Sequence, residues 1–427
     1  MFYAKKIHHW LWRWHIIAGL ISLPFILLLS VTGAIYLFKA DYEQQTYRSM
    51  TQVTPSVSYL TYQQQLDIAQ KAAKENGVAI PTKMILPDSD YQATQFIAGR
   101  FSSESYTFVN PYTGDVTGQF ARKDTLMQKV RKLHGELLLG KKGSWVIELV
   151  ASWLVVLIMT GLYLFFPRSI AEIWTLFRVR VKQGKRTFYR DLHALCGFWL
   201  SLALLLVLAG GLPWTELFGS NFKTVRDQTG TGYPTGYHGR GLESDPNKAA
   251  KKLDLDDVVS IAKDKSLSGI VTITIPTKPK GIYSISNRAE ALKDQQQIHV
   301  DQYSGNVIKT FSWSDVGVLS NGRHVVMRIH QGEFFGQANW YFMLGLCVLT
   351  AVLSASALVS YCLRKPKKSL GLPKAARDKQ IGVLLWGSML LLGITLPMFG
   401  ISLLAIMTLC LISKILKKTI RLVSAAS

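Results

Sequence analysis

Residues 12–33 read WRWHIIAGLISLPFILLLSVTG, and residues 190–211 read RDLHALCGFWLSLALLLVLAGG. Each stretch has a histidine near its start, a glycine four residues after that histidine and another glycine eighteen residues after it. At 3.6 residues per turn, steps of four and eighteen return to nearly one face of a helix. Each stretch therefore predicts a helix with an imidazole and two bare patches on one stripe, against which a flat ring fits. The residues on the two stripes are His15, Gly19 and Gly33, and His193, Gly197 and Gly211.

A second pair of histidines extends this repeat. His134 lies in the sequence LHGE and His330 in the sequence IHQGE, and each stands just before another apolar run. The repeated unit is therefore a histidine, an apolar run, a polar segment and a second histidine before the next run. A repeat of this length indicates duplication of a half-protein rather than a solenoid, whose repeats span roughly 20–50 residues.

The composition indicates a membrane protein, because 48 % of the 427 residues are hydrophobic and only 18 % are charged. Four apolar runs are close to the ~20 residues that cross a hydrocarbon core. A fifth run is too long for one span, and Pro397 near its midpoint predicts a hairpin. We therefore expect a helical membrane bundle with four core spans and a C-terminal hairpin, six spans in all. The predicted parts are a start with the first span (1–38), a polar segment (39–144), the second span (145–166), a loop (167–191), the third span (192–212), a polar segment (213–338), the fourth span (339–362), a loop (363–380), the hairpin (381–413) and a tail (414–427).

The positions of lysine and arginine predict the orientation. The two short loops, 167–191 and 363–380, together with the chain's start and tail contain 21 basic and 3 acidic residues. Loops rich in lysine and arginine stay on the cytoplasmic side, so both termini are expected there. This clustering accounts for most of the net charge of +22, which therefore indicates membrane topology and not nucleic-acid binding.

The two long polar segments are expected outside the cytoplasm. Each predicts a helix followed by short strands, and the last strand pair of each contains a matching turn, Asn110 to Gly114 and Asp301 to Gly305. We therefore expect two extracytoplasmic α+β domains.

Cysteine use narrows the choice of metal centre. The four cysteines all fall in or at the edge of apolar runs, and the sequence has no C-x-x-C pair. This excludes a disulfide framework in the polar segments, covalent c-type haem and the usual zinc and iron–sulfur motifs. Any metal centre must rest on histidine.

The predicted topology sorts the repeated histidines into two pairs. His15 and His193 are expected at the cytoplasmic ends of their spans, and His134 and His330 at the outer ends. Two imidazoles from facing helices, with glycine leaving room for a macrocycle, predict a b-type haem with both axial positions filled. We therefore expect two haem b groups, used for electron transfer rather than oxygen chemistry.

The other five histidines are weaker candidates. His8 and His9 are expected in the headgroup layer, and His238 and His299 on the surface of the second polar segment. His324 lies six residues before His330 and is either an alternative ligand, a group at the haem edge or unrelated to the site.

The runs from Trp12 to Gly33, from Leu133 to Tyr163, from Asp191 to Gly211 and from Ile329 to Cys362 resemble the PepSY-associated transmembrane family. The resemblance covers nearly the whole chain, and the four histidines in order are its specific part. It implies a bacterial inner-membrane haem protein, PepSY-like polar domains and the four histidines as haem ligands. It also implies reduction of ferric siderophores at the periplasmic face, as in several members. One departure is Gly210, which stands where the first repeat has Thr32.

We therefore expect a di-haem oxidoreductase that transfers electrons from the cytoplasmic side to a ferric siderophore or other ferric chelate. The cytoplasmic loops are too short for a dinucleotide-binding unit, so a flavoprotein or a quinol must supply the electrons. A transporter, or a regulatory or binding protein without redox activity, is the alternative. A transporter usually needs ionisable residues at mid-membrane, and Glu148, the one acid well inside a predicted span, lies near its end. An absorption spectrum separates these classes.

Overall fold

A computed structural model describes residues 2–167, 169–248, 252–366, 369, 371–372 and 382–426. The chain forms two compact units. The membrane unit comprises Met1–Leu37, Arg131–Thr224 and Val326–Ser427, and the sheet unit comprises Phe38–Val130 and Val225–Val325. Most of the predicted basic loop 363–380 lies outside the described residues, as do Arg168 of the other loop and Ile381 at the start of the predicted hairpin. The charged residues of the loop 363–380 that lie outside the described residues are Lys367, Lys368, Lys374, Arg377, Asp378 and Lys379.

The α-helices, given in chain order, supply the membrane spans and cover the sheet. They are α1 (Phe2–Leu37), α2 (Lys39–Thr46), α3 (Arg48–Thr51), α4 (Tyr62–Glu75), α5 (Leu126–Glu136), α6 (Lys141–Phe165), α7 (Lys185–Gly211), α8 (Leu217–Gln228), α9 (Leu255–Asp264), α10 (Val318–His330), α11 (Gly336–Arg364), α12 (Val383–Thr395) and α13 (Pro397–Ala426).

Among the residues that the structure describes, five helical segments are long and apolar enough to cross a membrane, which makes this a multi-pass membrane protein. They are Ile7–Leu37, Lys141–Phe165, Lys185–Trp214, Gly336–Arg364 and Pro397–Ile420. A sixth apolar helix, α12, has 13 residues, and at ~1.5 Å per residue it covers only about 20 Å. The predicted break falls between α12 and α13, where Pro397 cannot donate a backbone hydrogen bond.

Four of the spans form a bundle that follows the sequence repeat. Helix α1 packs against α6 and α11, and α7 packs against the same two helices. Buried apolar side chains fill the space between them, for example Leu157 between α1 and α6 and Met343 between α7 and α11. Helix α13 packs on α6, where Trp153 Nε1 donates to Ser402 Oγ at 3.1 Å.

In the described part of the sheet unit, eight strands form an antiparallel sheet in the order β4-β3-β2-β1-β5-β6-β7-β8. The two polar segments supply four strands each and join through β1 and β5, with Met84 opposite Ile273. Without this pairing each half would expose the unpaired backbone of an edge strand. The strands are β1 (Lys83–Ile85), β2 (Thr94–Ala98), β3 (Ser105–Val109), β4 (Val116–Ala121), β5 (Ile270–Thr274), β6 (Ile282–Arg288), β7 (Gln296–Asp301) and β8 (Val307–Ser312).

Helices α4 and α9 cover one face of this sheet, and the main apolar core lies beneath them. A residue of α9 helps to cap the start of α4. The Asp256 carboxylate accepts from the backbone N–H groups of Tyr62 and Gln63 at 2.9 and 3.0 Å. The predicted matching turns are confirmed, since Asn110 and Asp301 each accept from the backbone N–H two residues on, at 2.9 Å. The fold therefore repeats itself in local detail.

Candidate functional site

The structure brings His15 and His193 together near the starts of α1 and α7. Their ring centres lie 6.3 Å apart, with an angle of 68° between the ring planes. The Nδ1 atom of His15 is 2.9 Å from Thr160 Oγ1, and the Nδ1 atom of His193 is 3.1 Å from the carbonyl oxygen of Leu353. We call His15 and His193 the first pair.

His134 and His330 meet in the same way near the ends of α5 and α10. Their ring centres lie 6.2 Å apart, with an angle of 79° between the planes. The Nδ1 atom of His134 is 2.9 Å from Thr32 Oγ1, and the Nδ1 atom of His330 is 2.9 Å from the carbonyl oxygen of Val207. We call His134 and His330 the second pair.

These contacts determine which ring nitrogen carries the hydrogen. A carbonyl only accepts, so Nδ1 of His193 and of His330 must donate. Thr32 Oγ1 donates to the Leu28 carbonyl at 2.7 Å, and Thr160 Oγ1 donates to the Val156 carbonyl at 2.8 Å. Both hydroxyls have used their hydrogen and accept from the histidine. All four imidazoles therefore present the lone pair of Nε2, which is the form that binds a metal.

The histidines of the second repeat, His193 and His330, bond through Nδ1 to backbone carbonyls and not to a threonine. Gly210 stands where the first repeat has Thr32, and the Val207 carbonyl one turn earlier accepts from His330 instead. A Cβ at Gly210 would lie 2.6 Å from the Val326 carbonyl oxygen and 2.8 Å from the Cβ of His330. The close approach of α10 thus requires glycine at this position, and the backbone replaces the missing hydroxyl.

The predicted glycines divide between the two pairs. A Cβ at Gly33 would lie 3.6 Å from Cε1 of His134, and one at Gly211 would lie 3.5 Å from Cε1 of His330, so both belong to the second pair. The glycine and the histidine at the two ends of each stripe thus lie at different pairs, because eighteen residues of helix extend about 27 Å. Beside the first pair, Gly161 takes this position, 3.2 Å from Cε1 of His15.

Gly19 and Gly197 lie one turn from His15 and His193. A Cβ at either position would meet a single leucine side chain, at 3.9 and 3.6 Å. Helix packing alone therefore does not require glycine there, and both positions leave open surface next to a histidine.

The two pairs lie near opposite ends of the spans. Helix α1 carries both His15 of the first pair and Thr32, which contacts the second pair. These residues are seventeen positions apart, or about 26 Å along a helix, close to the ~30 Å of a hydrocarbon core. The apolar side chains between α1 and α6 fill the distance between them.

The spacing within each pair fits a metal ion held from both sides. Two imidazoles that bind one ion at ~2.1 Å each have ring centres about 6 Å apart. Among the described residues, no group of three or more His, Cys, Asp or Glu side chains is placed to hold an ion. The donor set is therefore two nitrogens per site, which suits a metal that brings its own four equatorial ligands, as haem iron does.

The remaining histidines have other surroundings. His238 is exposed, as predicted, but His299 is fully buried, so its predicted surface position is wrong. It lies on β7, where Nδ1 is 2.9 Å from Ser284 Oγ and Nε2 is 3.1 Å from the Tyr237 carbonyl. His324 contacts the Tyr233 hydroxyl through Nε2 and the Trp313 ring. Nε2 of His324 is thus engaged by the tyrosine.

Two acidic residues occur in the five spans, and both have structural partners. Glu148 is fully buried and accepts from the backbone N–H groups of Leu217 and Phe218 at 2.8 and 2.9 Å, which caps the start of α8. Asp191 accepts two bonds from Arg180, at 2.7 and 2.9 Å. Neither carboxylate is arranged as an ion-binding site.

Comparison with protein families matches the PepSY-associated TM region over residues 12–364. This range includes both pairs of histidines and all of the sheet unit. A comparison with curated proteins found no match.

Proposed function

The chain belongs to the family of the PepSY-associated TM region, and on that premise we propose that it is a di-haem electron-transfer protein that reduces a ferric chelate. The observation that carries this proposal is the spacing of 6.3 and 6.2 Å within the two histidine pairs. This distance occurs in both pairs, and each pair has one imidazole bonded to a threonine hydroxyl and one bonded to a backbone carbonyl. Both pairs are therefore arranged to present two Nε2 atoms to one ligand.

In this proposal His15 and His193 would hold one haem b, and His134 and His330 would hold the other. Each haem would supply one-electron transfer. The chain's own contribution is to orient the imidazoles. Each Nδ1–H is tied to a hydroxyl or a carbonyl, which fixes the ring and increases the basicity of Nε2.

The direction of transfer rests on the charge pattern. We assign the basic loops and both termini to the cytoplasm of a bacterial inner membrane, and α12 and α13 to a hairpin that completes six spans. The first pair then lies at the cytoplasmic face, and the second pair and the sheet unit's two PepSY-like segments at the outer face. Electrons enter from a flavoprotein or a quinol and leave to the outer acceptor.

The proposed acceptor is ferric iron in a siderophore or a similar chelate. Each ferric ion takes up one electron and becomes ferrous, and hard oxygen donors hold the softer, less charged ferrous ion poorly. Reduction therefore releases the metal. This reaction needs close approach of the chelate and no nucleophile or general base.

The test uses the purified protein in detergent after expression with sufficient haem. We expect a Soret band, its shift to longer wavelength on chemical reduction, and reoxidation on addition of a ferric siderophore, with ferrous iron captured by a ferrous-specific chelator. His134→Ala is expected to stop ferrous release, whereas His9→Ala, a histidine outside both pairs on α1, should leave it unchanged. A protein without a Soret band would contradict the proposal and favour a transporter or regulator.

A transporter receives little support from the spans. Glu148, the acid that a transport site could use, is committed to the backbone of α8. Electron transfer therefore remains the function that the arrangement supports best.

A further inference from the structure

The sheet has a second face, opposite the one covered by α4 and α9, and this second face is polar where the two halves meet. Along one row of paired strands, Lys83 of β1 lies opposite Thr274 of β5, and Thr274 lies opposite Ser284 of β6. Paired residues of neighbouring strands point to the same face. The next row, two residues along, continues the hydroxyl-bearing surface with Ser286.

An open groove with a volume of about 420 Å³ lies on this surface. It is lined by these residues from both halves, and Arg100 and His238 stand beside them. Known small-molecule sites have volumes of ~300–1,000 Å³. The groove is therefore large enough for a small chelate, and donors line it on hydrogen-bonded neighbouring strands.

The charges around the groove are mainly positive. Glu104 is the carboxylate close to Lys83, at 3.9 Å, and it lies nearer to Arg122, at 2.6 Å. One carboxylate is thus shared by two cations, which leaves positive charge on the groove side.

The pKa of His238 is consistent with this field. It lies below its ordinary value because of partial burial and then because of the positive charges of Arg100, Arg240 and Arg226. The positive charges of three arginines therefore act together at His238, on the rim of the groove. An anion bound there would be attracted by them and would accept hydrogen bonds from the hydroxyls below.

We propose that this groove binds the ferric chelate and selects anionic ones, with carboxylate or catecholate oxygens, through Lys83 and Arg100. The identity of the ligand rests on the proposed function, whereas the preference for an anion rests on the groove itself. Lys83 contacts the chelate from the sheet and Arg100 from the rim. The serine and threonine hydroxyls donate to its outer oxygens.

The test measures binding without electron transfer. Gallium(III) citrate is an anionic, redox-inactive substitute for a ferric chelate, and gallium(III) desferrioxamine B is a positively charged counterpart. The full-length protein in detergent should bind gallium citrate more tightly than the cationic complex, and more weakly as salt is raised. Lys83→Gln and Arg100→Gln should each weaken binding of gallium citrate about tenfold, the usual size of a lost charged hydrogen bond.

The matched control is Lys71→Gln, because Lys71 is an exposed cation on α4, which covers the other face of the sheet. This variant loses the same charge and should bind gallium citrate like the original protein. Ser286→Ala, which keeps all charges, should weaken binding a few-fold and guards against misfolding of the Lys83 variant. Equal affinity in Lys83→Gln, Arg100→Gln and Lys71→Gln, or equal affinity for metal-free citrate, would overturn the proposal.

Failure of the groove and failure of the proposed function can be told apart. A protein with a Soret band and ferrous release but no charge-dependent gallium binding would overturn the groove alone. Gallium binding in a protein without haem would support the groove's preference for an anion and overturn the electron-transfer function.

Discussion

Thr32 Oγ1 lies 2.9 Å from Nδ1 of His134, and its own hydrogen goes to the Leu28 carbonyl. The hydroxyl therefore accepts from the imidazole, whereas His330 in the same pair donates to a stronger acceptor, the Val207 carbonyl. The first pair has the same asymmetry, with Thr160 at His15 and Leu353 at His193. Each site thus combines one hydroxyl-bonded ligand with one carbonyl-bonded ligand.

Removing the hydroxyl should change the redox potential of one site only. Thr32→Val deletes the acceptor for His134, which makes that imidazole less basic and the ferric state less favourable. We expect the midpoint potential of the second-pair haem to rise by about 20–60 mV, the equivalent of one ordinary hydrogen bond. Thr32→Ser should keep the original value, and Thr160→Val should move the other haem. A redox titration followed by absorption measures both, and equal shifts of the two haems in Thr32→Val would contradict the assignment.

The pairing of ligands can be tested by haem content. His15→Ala and His193→Ala should each remove the same haem, and His134→Ala and His330→Ala the other. The ratio of haem to protein is expected to fall from about two to about one in each variant, since a single imidazole holds haem weakly. The double variant His15→Ala/His193→Ala should retain as much haem as either single change. A further loss in that double variant would mean that the two residues belong to different sites.

Two glycines of the membrane helices should respond differently to the same added methyl group. Gly210→Ala places a Cβ 2.6 Å from the Val326 carbonyl, so α10 must move and His330 with it. We expect a cost of about 1–3 kcal/mol and loss of the second haem. Gly387→Ala on α12 adds a Cβ that meets no atom within 4 Å, and should retain both haems. Haem content and thermal unfolding measure the difference, and similar behaviour of the two variants would contradict the packing described.

Glu148 should matter for stability and not for activity. Glu148→Ala leaves the Leu217 and Phe218 N–H groups without their acceptor, which should cost roughly 2–4 kcal/mol and lower the melting temperature. Glu148→Gln keeps one acceptor oxygen and should be less destabilising. The haem spectrum and ferrous release of folded Glu148→Gln are expected to be unchanged. Loss of activity at unchanged melting temperature would instead indicate a proton- or ion-coupled role.

The proposed hairpin predicts on which side of the membrane a fused topology reporter will lie. Basic residues flank the apolar segment 381–413 on both sides, so a reporter at the C-terminus and one inserted near Lys374 should both behave as cytoplasmic. The short length of α12 makes this informative, because a helix of 13 residues crosses only with help from its flanks. Reporters on opposite sides would show that α13 crosses alone.

The bundle and the histidine pairs could be predicted because they rest on side chains in a repeated order. The repeat of His15 in His193 identified corresponding helices, and span counting then placed partners at the same membrane face. The hydrogen-bond partners of the histidine Nδ1 atoms were harder to predict. Thr32 and Thr160 lie within the sequence runs that identified the family. The second repeat instead uses the backbone carbonyls of Val207 and Leu353, and because every residue has a backbone carbonyl, the residue type does not reveal this role.

Two further features of the sheet unit could not be predicted from the sequence. Burial of His299 depends on the Tyr237 segment covering β7, and no local pattern predicts that a distant loop will do so. The joining of the two polar segments into one sheet depends on β1, which is only three residues long. Such a strand has too few positions to show alternation, so its partner cannot be found from periodicity.

The pairing of β1 with β5 bears on how the chain became asymmetric. Met84 and Ile273 occupy corresponding places in the two repeats and face each other, so an ancestral single repeat could have paired this edge with a second copy of itself. In such a homodimer every side chain would appear twice across the axis. Two halves within one chain are not bound by that restriction: the place corresponding to Lys83 in the second repeat is taken by Thr272, so the centre of the sheet has one lysine instead of two. Symmetry breaking of this kind lets a two-fold scaffold present a one-sided surface, which a subunit made of identical halves cannot do.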